Sequence, residues 1–332
     1  MDMYIEQSFF DDAIGPDRVK RALAPYRAWV DSRPEPIRSC CVELLGSEVA
    51  HSNLVNLPFL LSEPFGLDPD EAVISQFVAG NAFMLTYFLA SDRLVDAPEC
   101  AHRFTILIAT EVHAQMLAWY EKAARHQGAG IWAELVTDHV HGVLQEEDHH
   151  ACCRRGEPGL DAAGYESAIV LKNRYGMAAI PLLALTTQRF GPEPVLREVY
   201  DHISIEIEFA DDLKDWREDL SAGRFTPVIQ ALQRAAGSLD PDSLDRAFLS
   251  SGAIPDVLEI IGTHLRDAAG NLESVPFTCG LLRTWIDRHR EANERLKKRF
   301  LDRQVRFALS RAVRQSEPAR AAGNVAPKPL RQ

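Results

Sequence analysis

No CxxC pair occurs among the six cysteines, which instead include the adjacent pairs Cys40-Cys41 and Cys152-Cys153. That spacing argues against a zinc ribbon and a disulfide framework, and fits reduced thiols in a cytoplasm. A secretory leader is missing too: Met1-Asp2-Met3-Tyr4-Ile5-Glu6 has neither a basic nor an apolar leader region, so the expected location is cytoplasmic. Positive charge is short. The 36 basic residues face 48 acidic ones, for a net charge of −12, and no basic stripe is interleaved with aromatics. Nucleic acid is therefore not an expected partner, whereas cations are. Runs of alternating β-branched residues are lacking as well, and helical periodicity recurs almost throughout, which predicts an all-α fold.

The 332 residues suffice for a large buried core. The spacing predicts helices over 16–30, 36–48, 70–96, 100–127, 130–152, 162–189, 193–222, 225–236, 241–250, 254–272 and 277–310. The breaks fall at Pro/Gly clusters such as Ser62-Glu63-Pro64-Phe65-Gly66 and Arg155-Gly156-Glu157-Pro158-Gly159. Linkers are short, so 1–315 reads as one all-α domain, and 316–332, rich in Pro, Ala and basic residues, as a disordered tail. No internal repeat is present. Ala72 to Ala90 is apolar enough to raise a membrane span, but it contains Ser75, Gln76, Gly80, Asn81 and Thr86. A helix apolar on every side is more simply the buried centre of a helical domain, so no stable membrane span is expected.

The densest chemistry lies in Glu208-Phe209-Ala210-Asp211-Asp212-Leu213-Lys214-Asp215-Trp216-Arg217-Glu218-Asp219. On a helix, 208, 211, 215, 218 and 219 fall within roughly one quadrant, with Asp212 beside it, while Phe209, Leu213, Trp216 and Leu220 face the core. Stacked like charges at i,i+4 repel, and a hard divalent cation such as Mg²⁺ would offset the repulsion. By angle, Lys214 and Arg217 point away from this acidic face. A second carboxylate pair, Asp92-Arg93-Leu94-Val95-Asp96, ends the apolar helix about 115 residues earlier. Alone, DxxxD is usually a solvated helix end; its place at the end of a buried helix makes it a candidate partner.

Together these stretches resemble the two metal-binding motifs of class I isoprenoid synthases, which include prenyltransferases, squalene and phytoene synthases and terpene cyclases. Glu208-x-x-Asp211-Asp212-x-x-Asp215 resembles QxxDDxxD with Glu for Gln. Asp211, Asp212, Asp215 and Asp219 match the spacing of (N/D)DxxSxxxE. Asp215-Trp216-Arg217-Glu218-Asp219 with Gly223-Arg224 and Pro227 is similar to RDxxED…GR…P, with Lys214 in place of the first Arg. The resemblance implies a single helical bundle of the isoprenoid synthase type around a central apolar cavity. It further implies a prenyl diphosphate substrate and Mg²⁺, three ions with bound diphosphate, and it admits a homodimer. Asp92, Asp96, Asp211, Asp215 and Asp219 would be the catalytic metal ligands, with Asp212 assisting. Lys172, Arg174 and Arg224 would hold diphosphate, Tyr165 to Lys172 loosely matching YxxIxxxK. Phe88 and Leu85, at i−4 and i−7 from Asp92, would line the pocket, although ordinary core is the plainer reading of both.

The departures bear on the branch. Doubled aspartates and a downstream Arg-Arg-Gly are lacking after Asp92, which weakens chain elongation. An upstream diphosphate-sensing Arg and a late Arg-Tyr pair are lacking too, which weakens an ordinary sesquiterpene cyclase. The expected reaction is ionisation of an allylic prenyl diphosphate followed by cyclisation, with head-to-head condensation as the alternative. Two other classes compete: a di-iron bundle built on Glu48-x-x-His51 and Glu146-x-x-His149 or Glu147-x-x-His150, and a non-catalytic helical interaction protein.

Overall fold

Pro25 and Pro181 stand at two of the places where the chain departs from simple helical periodicity, because proline cannot donate to the carbonyl four residues back. A computed structural model of the chain describes residues 8–45, 48–96, 104–125, 127–273 and 275–322, leaving out the side chains of 8, 45, 48, 51, 95, 96 and 311–322. The helices are α1 (Ser8–Ala13), α2 (Pro16–Ala22), α3 (Ala24–Asp31), α4 (Ile37–Leu45), α5 (Asn53–Ser62), α6 (Ala72–Asp96), α7 (Thr105–Ala123), α8 (Ala129–Arg154), α9 (Ala162–Asn173), α10 (Ala179–Thr187), α11 (Glu193–Ser221), α12 (Pro227–Ala236), α13 (Pro241–Ser250), α14 (Ala253–Glu273) and α15 (Gly280–Ala322). Among the described residues there is no strand, as the all-α expectation requires.

Three differences from the expected elements have physical causes. The 16–30 segment is two helices, split where Pro25 enters the first turn of α3. The 162–189 segment bends by 58° between α9 and the Gly176–Thr187 stretch. There Pro181 withholds a hydrogen bond from Met177, and a Cβ on Gly176 would stand 2.4 Å from the Tyr200 hydroxyl. Helix α5 was not expected at all: from Val55 to Ser62 every residue is buried, and Pro58 lies inside it, so it has no polar face from which a period could be read. At the other end, α15 continues to Ala322, beyond Ser316, and 323–332 lie outside the described residues.

Helix α6 is long and apolar enough to cross a membrane, yet 56% of that window is buried inside the fold. It packs against α2, α3, α4, α5 and α7. Phe77, Val78, Phe83 and Met84 are fully enclosed, which makes α6 a core helix. Helix α11 packs against α9, α10, α12 and α14. One hydrophobic cluster runs from Phe9 to Phe300, and α5 ties the early helices to α10 and α15. The Glu63 carboxylate accepts from the Leu281 amide at 3.1 Å, and Trp285 Nε1 donates to Asn53.

Candidate functional site

The acidic stretch lies on the second half of α11, whose opposite face is fixed by Phe209, Leu213 and Trp216, all buried, with Trp216 stacked on Phe248 at 5.6 Å. The row is only partly solvated, with Glu218 exposed at its outer edge. Asp212 and Asp219 are buried and Glu208 and Asp215 partly so, while Asp211 is exposed. Burial holds the Asp212 carboxyl well above the usual carboxylate range, Glu208 and Asp219 push the same way, and Lys172 opposes them. Asp212 Oδ2 is buried with no hydrogen-bond partner. Asp219 is also raised by burial, offset by Arg224.

The cations come from both sides. Lys172, at the end of α9, reaches Glu146 on α8 and Glu208 on α11, each at 3.0 Å. Burial opposes its charge, but those two carboxylates raise its pKa. Asn173 adds a hydrogen bond to Glu208, and the buried Tyr165 hydroxyl points to Glu146 at 3.5 Å. Helices α8 and α9 meet backbone to backbone here: a Cβ on Gly142 would stand 2.2 Å from the Lys172 amide nitrogen, so glycine there sets the approach that lets Glu146 meet Lys172. Gly223, at φ +72°, folds the chain so that Arg224 Nε donates to Asp219 at 2.9 Å. Arg174 is engaged elsewhere, with Asp201 at 2.9 Å, a carboxyl that burial pushes up to about 6.

The expectation that Lys214 points off the acidic face is corrected: its flexible stem brings the ammonium to Asp215 at 3.1 Å and Asp211 at 3.5 Å. Arg217 does leave that face, pairing with Asp245 and lying over the Trp216 ring.

On α6, Asp92 is exposed near the helix end, and the Asp96 side chain lies outside the described residues. One turn back, Phe88 joins an aromatic group that the sequence did not announce. Its ring centroid is 5.6 Å from His139 and 5.9 Å from Tyr175, and Tyr175 also meets Trp132 at 5.7 Å. Leu85 is partly buried against the same core. His139 Nδ1–H donates to the Lys172 carbonyl at 2.6 Å, so Phe88, His139, Lys172 and Glu208 form a continuous chain of contacts from α6 to α11. Burial lowers the His139 pKa. Glu146, His139 and Tyr175 are the residues that sequence reasoning left out of the site. A weak signal existed for two of them, since His139 and Glu146 stand two turns apart on one face of α8.

The di-iron alternative loses ligands. His149 accepts the Leu160 amide on Nδ1 at 2.8 Å and donates from Nε2 to the Phe225 carbonyl at 2.8 Å, so both ring nitrogens are used in bracing loops. His150 Nδ1 accepts the Phe225 amide. The side chains of Glu48 and His51 lie outside the described residues. Among the described residues, no group of three or more His, Cys, Asp or Glu side chains is set to hold a metal ion by itself. The α11 carboxylates nevertheless suit Mg²⁺ in kind. They offer oxygen only, one of those oxygens is buried without a partner, and Mg²⁺ takes a few carboxylates plus water and substrate phosphates, not a closed protein cage.

The chain matches no protein-family model and no curated protein sequence. Fold and site therefore define its class as an all-α protein with a crowded, half-buried carboxylate helix met by Lys172, Lys214 and Arg224.

Proposed function

We propose that this chain is a class I isoprenoid synthase, which ionises an allylic prenyl diphosphate and cyclises the resulting carbocation, releasing diphosphate. The observation that carries the reading is the α11 row Asp211, Asp212, Asp215 and Asp219, with Asp212 Oδ2 buried and unpartnered, beside Lys172 and Arg224. A buried carboxylate without its own counter-charge is costly, and its retention points to a ligand that supplies one. Magnesium, held by Asp92 and Asp96 on one helix and by Asp211, Asp215 and Asp219 on the other with Asp212 behind them, would stabilise charge on the leaving diphosphate when bound. Lys172 and Arg224, each already hydrogen-bonded to a carboxylate, orient diphosphate oxygens from the α9 and post-α11 sides. Arg174 serves this less directly because Asp201 holds it. Phe88 offers an aromatic face to an allylic cation, and the apolar α6 below Asp92 excludes water from it.

Head-to-head condensation of two prenyl diphosphates is the second reading. It is favoured by the Gly223-Arg224 turn, whose positive φ folds Arg224 back onto Asp219. One experiment separates the two: pure protein with Mg²⁺ is given geranyl, farnesyl or geranylgeranyl diphosphate, with and without isopentenyl diphosphate and NADPH, and products are identified by mass spectrometry. A cyclic product from one diphosphate supports cyclisation, and a product of doubled chain length supports condensation. Absence of diphosphate release from every substrate, or full turnover in Asp92→Asn and Asp215→Asn, sinks both.

A further inference from the structure

Helix α15 carries a charge opposite to that of the protein. From Lys297 to Ala322 the helix has eight basic and two acidic residues, leaving 28 of the 36 basic and 46 of the 48 acidic residues to the rest of the chain. Phe300 packs edge-on against Phe248 at 5.4 Å, and Gln304 donates to the Ser251 carbonyl at 2.7 Å, which fixes the side of α15 that faces the body. Turned away from that side are Leu301, Val305 and Leu309, 53%, 58% and 61% exposed. At i, i+4 and i+8 they make a stripe about 12 Å long. Beyond exposed Asp302, at about 60° from the centre of the stripe, exposed Arg299, Arg303 and Arg306 occupy the next face, at about 100–160°. The outer part of α15 thus presents three faces, one docked, one apolar and one basic.

We propose that this outer part of α15 is a membrane-docking element that lies on an anionic phospholipid surface, with Leu301, Val305 and Leu309 inserted among the acyl chains and Arg299, Arg303 and Arg306 at the headgroups. An interfacial helix of this kind needs an apolar stripe for insertion and cations for attraction, and α15 supplies both on an otherwise acidic protein. A second copy of the chain is the poorer occupant, because pairing two such helices would bring their arginine rows together. A protein partner is poorer too: the stripe is purely aliphatic and lacks the aromatic anchors on which protein interfaces usually depend. The inference does not depend on the proposed reaction.

The test is co-sedimentation of the full chain with phosphatidylcholine vesicles, with and without phosphatidylglycerol, at low and high salt. Expected is binding to the anionic vesicles only, weakened at least about tenfold by raised salt. Binding should fall at least about a hundredfold in the triple variant Leu301→Asp, Val305→Asp, Leu309→Asp. The reversed pair Arg303→Glu, Arg306→Glu should lose the preference for anionic lipid. Because these positions are exposed, thermal unfolding of the variants should match the parent, and that scan separates lost docking from lost fold. The proposal is overturned if the parent stays in the supernatant with both vesicle types, or if the folded triple variant binds as the parent does. It is equally overturned if light scattering shows a dimer that the triple variant dissolves, which would assign the stripe to a second copy.

Discussion

Replacing Asp212 by Asn should make the ligand-free protein more stable while impairing its chemistry. Asp212 is buried, its Oδ2 has no partner, and the nearest cation, Lys172, already sits 3.0 Å from both Glu146 and Glu208. Three carboxylates thus share one ammonium, and removing one charge relieves repulsion and desolvation worth about 1–2 kcal/mol. For a chain of this size that corresponds to a rise of about 1–3 °C in Tm. The pH dependence has a definite sign. A carboxyl whose pKa is higher in the folded than in the unfolded chain stabilises the fold fully below the unfolded value, and loses that contribution as pH rises through the folded value. Burial, with Glu208 and Asp219, raises Asp212 in this way. The parent should therefore lose ground to Asp212→Asn as pH climbs above the ordinary carboxylate range, and the two should converge in acid. Calorimetric scans from pH 4 to 9 measure this directly. Mg²⁺ with inorganic diphosphate, at a hundred times its Kd, should raise the parent by about 2.7 kcal/mol and the variant by less, while turnover in the variant drops roughly a hundredfold. A variant less stable than the parent at pH 9, or a difference that does not change with pH, would refute the account of Asp212 as a carboxylate awaiting a cation.

Lys172→Met removes the cation that joins α8, α9 and α11. Since its side chain and those of Glu146 and Glu208 are 22%, 18% and 26% exposed, the usual cost of orphaning buried charge is reduced to about 2–4 kcal/mol. Denaturant titration should show that cost shrinking when Glu146→Gln is added, and strict additivity would mean the pair is uncoupled. Gly142→Ala puts a Cβ against the Lys172 backbone, so it should cost about 2–4 kcal/mol; a midpoint in urea equal to the parent's would show that α8 and α9 separate freely. His150 is held down to about 3, first by burial and then by the charges of His149, Lys172, Arg154 and Arg224. A histidine depressed on folding contributes stability above its unfolded value, and that contribution is lost as pH falls toward the folded one. The parent should weaken between about pH 6.5 and 3, whereas His150→Gln, which can still accept the Phe225 amide, should show a flatter acid limb in thermal scans.

How much could be read in advance depended on whether the physics was local. Helices α6 and α11 stood out because burial pattern and length are properties of the segment itself, and the stacked aspartates because i,i+4 repulsion is visible along one helix. Helix α5 was hidden because a segment enclosed on all sides has no polar phase to mark its period. The α9–α10 bend turned on Pro181 and on the nearness of Tyr200 to Gly176, and only the first of these lies in the segment. In the site, Glu146 was one acid in a polar helix end until Gly142 allowed α8 close enough for it to meet Lys172. Tyr175 and His139 gave no sign of a role until α8 and the turn after α9 brought their rings to Phe88. Each of these residues acquires its role from an inter-helix distance, which no short window of sequence records.

The charges at the site also limit what it can bind unaided. Glu146, Glu208, Asp211, Asp212, Asp215 and Asp219 supply six carboxyl groups, and Lys172, Lys214 and Arg224 supply three cations, each already hydrogen-bonded or ion-paired to one or more of those carboxyls. A free diphosphate would meet a surplus of like charge, and the lysines and arginine could turn to it only by abandoning their present partners. A divalent cation reverses that balance, because the carboxylates that repel the anion alone become the ligands that hold the cation-anion pair. Burial is the main cause of the raised pKa values of Asp212 and Asp219, and the neighbouring carboxylates add to it in the ligand-free state. The stacking of aspartates that destabilises α11 by itself is thus the property that would make substrate binding conditional on the metal.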